Sequence, residues 1–168
     1  MSIISDSIQS KCLSFGDRVI KLNDYLLKGA ANTKPSYKMV KGKRVCEKTV
    51  PVYLQSVSAL CNQLLRAGTS IGANNAEACN AVSKQDFRSK SYIALKEARE
   101  SLYWIELLKR NNYIDERQYQ SIYADCEELV KILVARCKKL DAELNAGKDV
   151  ANSAATMSKV SFLIFILF

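Results

Sequence analysis

The chain has 168 residues with only two prolines and six glycines, a composition typical of one mostly helical domain. Histidine is absent, which excludes Ser-His and Cys-His nucleophile systems and the Glu-x-x-His motifs of di-iron bundles. The six cysteines form no Cys-x-x-Cys pair, so we expect no metal site, no cofactor and no catalytic residue. The formal charge of +8 favours an acidic partner, and the cysteine pattern indicates reduced thiols in the cytoplasm.

Residues 30–50 interrupt the helical pattern. They follow a first helix predicted from Ser5 to Lys28, for which Gly29 is the expected stop. Two strand-like runs flank Lys41-Gly42, which favours a short β-hairpin with a tight turn. Residues 29–50 carry six basic residues and one acid, so this segment is either a solvated, mobile loop or an arm that contacts nucleic acid. The candidate contact residues in it are Lys38, Lys41, Lys43, Arg44 and Lys48.

A heptad seam that contains two glycines defines the predicted second helix. The helix begins near Pro51, and its seam runs from Leu54 to Val82. Gly68 and Gly72 stand four apart on one face, and each costs about 1 kcal/mol relative to alanine in a helix interior. We expect the close approach of another helix to offset that cost. Asn75 is the polar exception on the seam, and it either fixes the register of the bundle or lies at the edge of the stripe.

The third helix is predicted from a cap at Ser83 to about Arg110. Its inner seam is rich in small residues, which we expect to pack against the glycines of the second helix. These small residues are Ala94, Ala98 and Ser101. On or near its outward side the helix carries Arg88, Lys96 and Arg99.

Two further groups on the third helix have open interpretations. The aromatic flank with Tyr103 and Trp104 is either core and rim or a subunit interface. Glu97 and Glu100 could share a face, but their basic neighbours favour ion pairs on the helix surface over catalysis.

The fourth helix has a strong start signal and an unusual sequel. Asp115 and Gln118 form a predicted capping box, and we expect the helix to end near Gly147. The apolar run 160–168 is much shorter than the roughly 20 residues that a membrane helix needs, so we expect no membrane interaction. This run either docks in a groove of the bundle or of a neighbour, or it is a disordered end.

Three motifs together resemble one family. Residues 64–78, 83–87 and 93–108 closely resemble the bacterial four helix bundle protein family. That family includes proteins encoded within intervening sequences of 23S ribosomal RNA genes, and it is structurally related to the accessory variability determinant (Avd) of diversity-generating retroelements. The resemblance covers residues 55–142 well. It implies an up-down four-helix bundle that assembles into a ring, typically a pentamer, and no enzymatic activity. By motif, the basic positions nominated for partner contact are Arg66, Lys96 and Arg99.

The resulting prediction is an all-α, up-down antiparallel four-helix bundle over residues 1–149, with a hairpin insertion at 30–50 and a tail at 150–168. The resemblance implies an Avd-like accessory protein that binds RNA or DNA and a reverse transcriptase, in support of mutagenic cDNA synthesis. The alternative is a protein of the 23S rRNA intervening-sequence type, or a scaffold whose basic surface meets an acidic protein. Asn75, the insertion and the apolar tail depart from the family pattern.

Overall fold

The computed structural model describes residues 3–31, 36–48 and 50–167, with side chains over 7–29, 37–46 and 54–147. Within this part the fold is four helices and one hairpin, which confirms the predicted all-α bundle with a hairpin between the first two helices. The elements are, in chain order, α1 (Ile3–Ala31), β1 (Ser36–Val40), β2 (Lys43–Lys48), α2 (Val50–Cys79), α3 (Lys84–Arg110) and α4 (Glu116–Leu167).

Neighbouring helices run antiparallel, as contacts between their side chains show. Lys11 near the start of α1 pairs with Glu128, whereas Arg18, two turns later, bonds Ser121, which lies earlier in α4. Helices α3 and α4 show the same order, since Lys84 pairs with Glu143 and Cys126 bonds the backbone of Ala98. The hairpin therefore leaves the end of the bundle where α3 ends and α4 begins, and the α2–α3 turn lies at the opposite end.

The core is one continuous column of apolar side chains contributed by all four helices. Burial of each such Leu, Ile or Phe side chain contributes roughly 1.5–3 kcal/mol, so this column supplies most of the stability. Its most deeply buried large members include Phe15, Val19, Ile71, Ile105, Leu108, Leu129 and Leu133.

The two glycines of α2 contact α1, so the prediction that they face the small residues of α3 is wrong. A Cβ added at Gly68 would lie 3.0 Å from a methyl group of Val19 and 3.4 Å from the ring of Phe15. A Cβ added at Gly72 would lie 3.4 Å from the Cβ of Cys12. Gly68 therefore makes room for the large side chains of Val19 and Phe15, whereas Gly72 faces the small side chain of Cys12.

Both predicted start signals form as expected. The Ser83 hydroxyl accepts the backbone N–H of Asp86 at 3.0 Å, which caps α3. Before α4, Asp115 and Gln118 bond each other's backbone N–H groups reciprocally, at 2.7 and 3.0 Å. Such a capping box satisfies two of the N–H groups that the first turn of a helix leaves unpaired.

Three predicted helix limits are wrong. Helix α1 continues past Gly29 to Ala31, and α4 continues past Gly147 to Leu167, because a single glycine followed by helix-forming residues weakens a helix without ending it. Val82 lies beyond the end of α2 and is 94% exposed, so it does not belong to the seam. The side chains of the apolar run 160–168 lie outside the described ones. Within the described residues, no helix is long and apolar enough to cross a lipid bilayer.

The aromatic flank of α3 divides between core and rim. Trp104 packs partly buried against the core and donates its indole N–H to Glu100 at 3.0 Å. Tyr103 is 57% exposed and meets the edge of the Trp104 ring at a centroid distance of 5.0 Å. A subunit interface at Tyr103 remains a prediction.

Candidate nucleic-acid interface

The hairpin Ser36–Lys48, called the basic hairpin below, is closed by a two-residue turn. Val40 pairs with Lys43, and the turn residues Lys41 and Gly42 both have positive φ angles, of 49° and 74°. Two positive φ angles define the type I′ turn, whose twist matches that of the flanking strands. The left-handed conformation costs a residue such as Lys41 about 1–2 kcal/mol, so this hairpin is weakly stabilised by its own turn.

Both faces of the basic hairpin mix cations with apolar groups, and every described side chain from Tyr37 to Cys46 is exposed. The described side chains therefore do not lean on the bundle, and a lone hairpin is marginally stable in water. Cross-strand pairing places Lys38, Val40, Lys43 and Val45 on one face. The other face carries Tyr37, Met39, Arg44 and Cys46.

The second face of the hairpin pairs a cation with an aromatic ring. The guanidinium of Arg44 lies 4.2 Å from the centre of the Tyr37 ring. This cation–π contact holds a planar, positively charged group beside a flat apolar surface. Phosphates bind such cations, and unpaired bases stack on such rings, so the arrangement suits a flexible single strand or loop of nucleic acid.

The cations predicted on the helices do not join the hairpin in one cluster. Lys96 and Arg99 are exposed and three residues apart on α3. Arg66 is exposed on α2 and lies near enough to Glu97 to act on its carboxylate. The pKa of Glu97 is raised, because burial and the charge of Glu100 outweigh the opposite effect of Arg66. The expected pairing of Glu97 and Glu100 with their basic neighbours is absent from the ion pairs of the described side chains.

Arg88 is occupied inside the bundle. Its guanidinium is half-buried, forms an ion pair with Asp141 and lies 4.9 Å from the Tyr92 ring centre. Tyr92 donates its hydroxyl to the same carboxylate at 2.6 Å. Arg88 therefore fastens α3 to α4, and a role for it in partner contact stays a prediction. The side chain of Lys48 lies outside the described ones.

A buried polar network is the feature that sequence reasoning largely missed. Asn75 is fully buried, donates to Gln9 at 2.6 Å and accepts from Arg136 at 2.7 Å. It therefore joins α1, α2 and α4, which supports its role in fixing register. A polar residue on an apolar seam signals that partners exist, but residue spacing within one helix does not identify them.

The buried thiols behave as small apolar groups. Burial raises the pKa of Cys12 and of Cys61 to about 11, and that of Cys126 to about 12. Cys126 also donates its S–H to the Ala98 carbonyl at 3.3 Å. Across the described side chains, no group of three or more Cys, Asp or Glu could hold a metal ion.

The fold and its exposed arm define a class of protein: an antiparallel four-helix bundle with a basic hairpin between its first two helices. The sequence model of the 23S rRNA-intervening sequence protein family matches residues 39–135, more than half of the chain. The chain therefore belongs to the 23S rRNA-intervening sequence protein family. This match begins within β1, so the turn and β2 of the basic hairpin lie inside the matched range.

A solved structure supports the same assignment. The chain is 35% identical, with a TM-score of 0.62, to a protein of unknown function from the S23 ribosomal protein family of Bacteroides thetaiotaomicron VPI-5482. The similarity covers 80% of this chain and 97% of that protein. A search of curated proteins gave no match. Family and fold are thus shown, and the Avd resemblance remains a prediction.

Proposed function

We propose that this protein is a non-enzymatic RNA-binding member of its family and that the basic hairpin is its RNA-contacting arm. The observation that carries the proposal is the run Tyr37–Cys46, in which every side chain is exposed and four are cationic. No acid interrupts this run. A segment of this kind adds nothing to the core and carries a net positive charge, so its chemistry favours an external anion.

Phosphate is the anion that fits this geometry best. The cations alternate along two short strands, so both faces of the hairpin are positive, as expected of an arm inserted into a groove or loop of nucleic acid. Tyr37 and Arg44 add a surface for stacking, which favours unpaired bases. RNA is preferred over DNA because folded RNA presents unpaired bases in its loops and bulges, where a stacking surface can reach them.

Two finer predictions stand beside this proposal. The Avd resemblance predicts a reverse transcriptase as partner and assembly into a ring, typically a pentamer. Light scattering on the full chain tests the ring, and a monomer across micromolar concentrations would reject it. Copurification with a reverse transcriptase encoded nearby tests the other prediction.

The direct experiment is filter binding of an RNA stem-loop at low salt. The variant Lys41→Ala/Lys43→Ala/Arg44→Ala should lose affinity by at least about tenfold, because it removes three phosphate-seeking charges. The matched control is Lys21→Ala/Lys28→Ala/Lys138→Ala, which removes the same charge from exposed helical positions and should bind almost as the wild type does. Equal losses in both variants would show that net charge alone, and no defined arm, binds RNA.

A protein partner is the second candidate, and one observation favours it. Met39, Val40 and Val45 are 68, 41 and 42% exposed on the hairpin, and they offer apolar contact that phosphate does not use. The hairpin triple variant separates the two candidates. If it binds RNA as the wild type does but no longer captures a protein that the wild type captures, the partner is an acidic protein.

A further inference from the structure

A groove of about 820 Å³ opens at the end of the bundle opposite the basic hairpin. It lies between the start of α1, the α2–α3 turn and α4, and its size falls within the range of small-molecule sites. Its apolar wall includes Ile8, Ala78, Phe87, Ile132 and Leu140. Concave apolar sites with a few well-placed polar groups are typical of small-ligand binding.

Arg136 is the polar group in this wall, and the bundle holds it from behind. One guanidinium nitrogen donates to Asn75 at 2.7 Å, and Asn75 is in turn fixed by its bond to Gln9. The guanidinium also lies 5.4 Å from the ring centre of Phe87. A guanidinium carries five N–H donors and Arg136 lines the groove, so this anchoring leaves donors available for a ligand.

Arg136 has no carboxylate partner among the described ion pairs. Burial lowers its pKa, which shows that the charge is held at a cost in desolvation. Burial also raises the pKa of the nearby Cys12 to about 11, so this thiol is neutral at physiological pH and supplies no counter-charge. A half-buried cation that has no anion among the described side chains is costly, and an anionic ligand would offset that cost.

The rim of the groove is also positive. Lys139 lines it, whereas Lys84 and Glu143, which also line it, are paired with each other at 2.7 Å and add no net charge. The N-terminus of α3 lies here as well, and its helix dipole adds positive potential. The groove thus combines an apolar floor with one anchored cation and a basic rim.

We propose that this groove binds a small amphipathic carboxylate, with the acid on Arg136 and the apolar body against Phe87, Ile132 and Leu140. Carboxylate oxygens match the fork of a guanidinium, and an alkyl chain matches the floor. A small molecule fits better than a helix of a partner, because the volume is that of a ligand pocket. This site is separate from the RNA arm in place and in chemistry.

The test is calorimetric titration of the full chain with decanoate at neutral pH. Decanol has the same alkyl group without the carboxylate, and acetate has the carboxylate without the long alkyl group. Each should therefore bind at least tenfold more weakly than decanoate. Arg136→Gln should weaken decanoate by roughly tenfold to a hundredfold. Arg110→Gln, which removes an exposed arginine at the other end of the bundle, should change nothing.

A second variant keeps the test valid if Arg136→Gln unfolds. Ala135 is exposed and lines the groove, so Ala135→Trp should fill it and abolish decanoate binding without entering the core. Ala124→Trp, at an exposed position elsewhere on α4, is the matched control and should bind normally. Decanoate binding that survives Ala135→Trp, or that equals decanol binding, would overturn the proposal. No binding to the wild type, with Ala135→Trp lowering the oligomeric mass, would assign the groove to a second copy of the chain.

Discussion

The α1–α2 interface and the basic hairpin lie next to each other in the chain and have opposite designs. At the interface, Gly68 and Gly72 bring two backbones close together, and Phe15 and Val19 fill the contact. On the hairpin, long cationic side chains and a tyrosine remain in solvent. The part of the molecule that carries stability is thus separate from the part that we propose binds RNA, so each should be removable without the other.

The largest expected effect is on the core. Leu133 is fully buried, so Leu133→Ala should lower the free energy of unfolding by about 2–5 kcal/mol. The folded fraction should bind RNA with unchanged affinity, because the hairpin does not contact this residue. Urea denaturation and filter binding measure the two quantities. A matched loss of RNA affinity in the folded fraction would show that the two regions are coupled.

A pair of glycine substitutions tests the close approach of α1 and α2. Gly16→Ala meets open space and should stabilise the protein by about 0.5–1 kcal/mol through helix propensity. Gly68→Ala gains the same helix propensity, but its methyl group would lie 3.0 Å from Val19. Such overpacking costs about 1–3 kcal/mol. Thermal melts should therefore rank Gly16→Ala above wild type and Gly68→Ala below it. If both variants were stabilised equally, the glycines would not be needed for packing.

A smaller effect is expected at the α3–α4 contact. Hydrogen bonds from Tyr92 and Arg88 hold the pKa of Asp141 below its usual range. A carboxyl with a depressed folded-state pKa stabilises the fold above its unfolded-state pKa and loses that contribution as pH falls through the folded-state value. Stability should therefore decline on acidification below about pH 4, and Asp141→Asn should flatten this decline. Asp17→Asn, at an exposed position of α1, controls for the lost charge.

Thiol labelling should distinguish the exposed hairpin from the buried core by the rate at which their cysteines react, with no change in stability. Cys46 lies exposed on the hairpin, whereas Cys12, Cys61 and Cys126 are buried with raised pKa values. Iodoacetamide at mildly alkaline pH should modify Cys46 first, and the three buried thiols only after unfolding. Bound RNA should slow the reaction at Cys46. Mass spectrometry of the labelled peptides reads both results, and RNA that leaves Cys46 unprotected would place its binding site away from this face.

Much of the bundle could be predicted from residue spacing, because burial repeats with the helical period. The apolar stripes, the caps at Ser83 and Asp115 and the turn at Lys41-Gly42 all follow from local chemistry. The helix that meets the glycines could not be predicted, because a smooth stripe does not specify its partner. Helix ends at glycine were also misplaced, since one glycine does not oblige a helix to stop.

The candidate site could likewise be predicted only in part from the sequence. The charge of the hairpin is visible in its sequence, and the structure adds that both faces are exposed. Arg88 has the same charge and a similar helical position, yet Asp141, 53 residues away, occupies it. The sequence did not indicate a role for Arg136 either, because that role depends on its hydrogen bond to Asn75 on another helix. Contacts between distant residues decide which cations are available.

The salt dependence of RNA binding tests the role of the hairpin most directly. The logarithm of affinity should fall linearly with the logarithm of salt concentration, and each phosphate contact made by a cation contributes about one unit of slope. The variant Lys41→Ala/Lys43→Ala/Arg44→Ala should therefore have a slope smaller by about three than the wild type. A slope equal to that of the wild type would show that these side chains do not contact phosphate and would contradict the assignment of the hairpin as the RNA-binding arm.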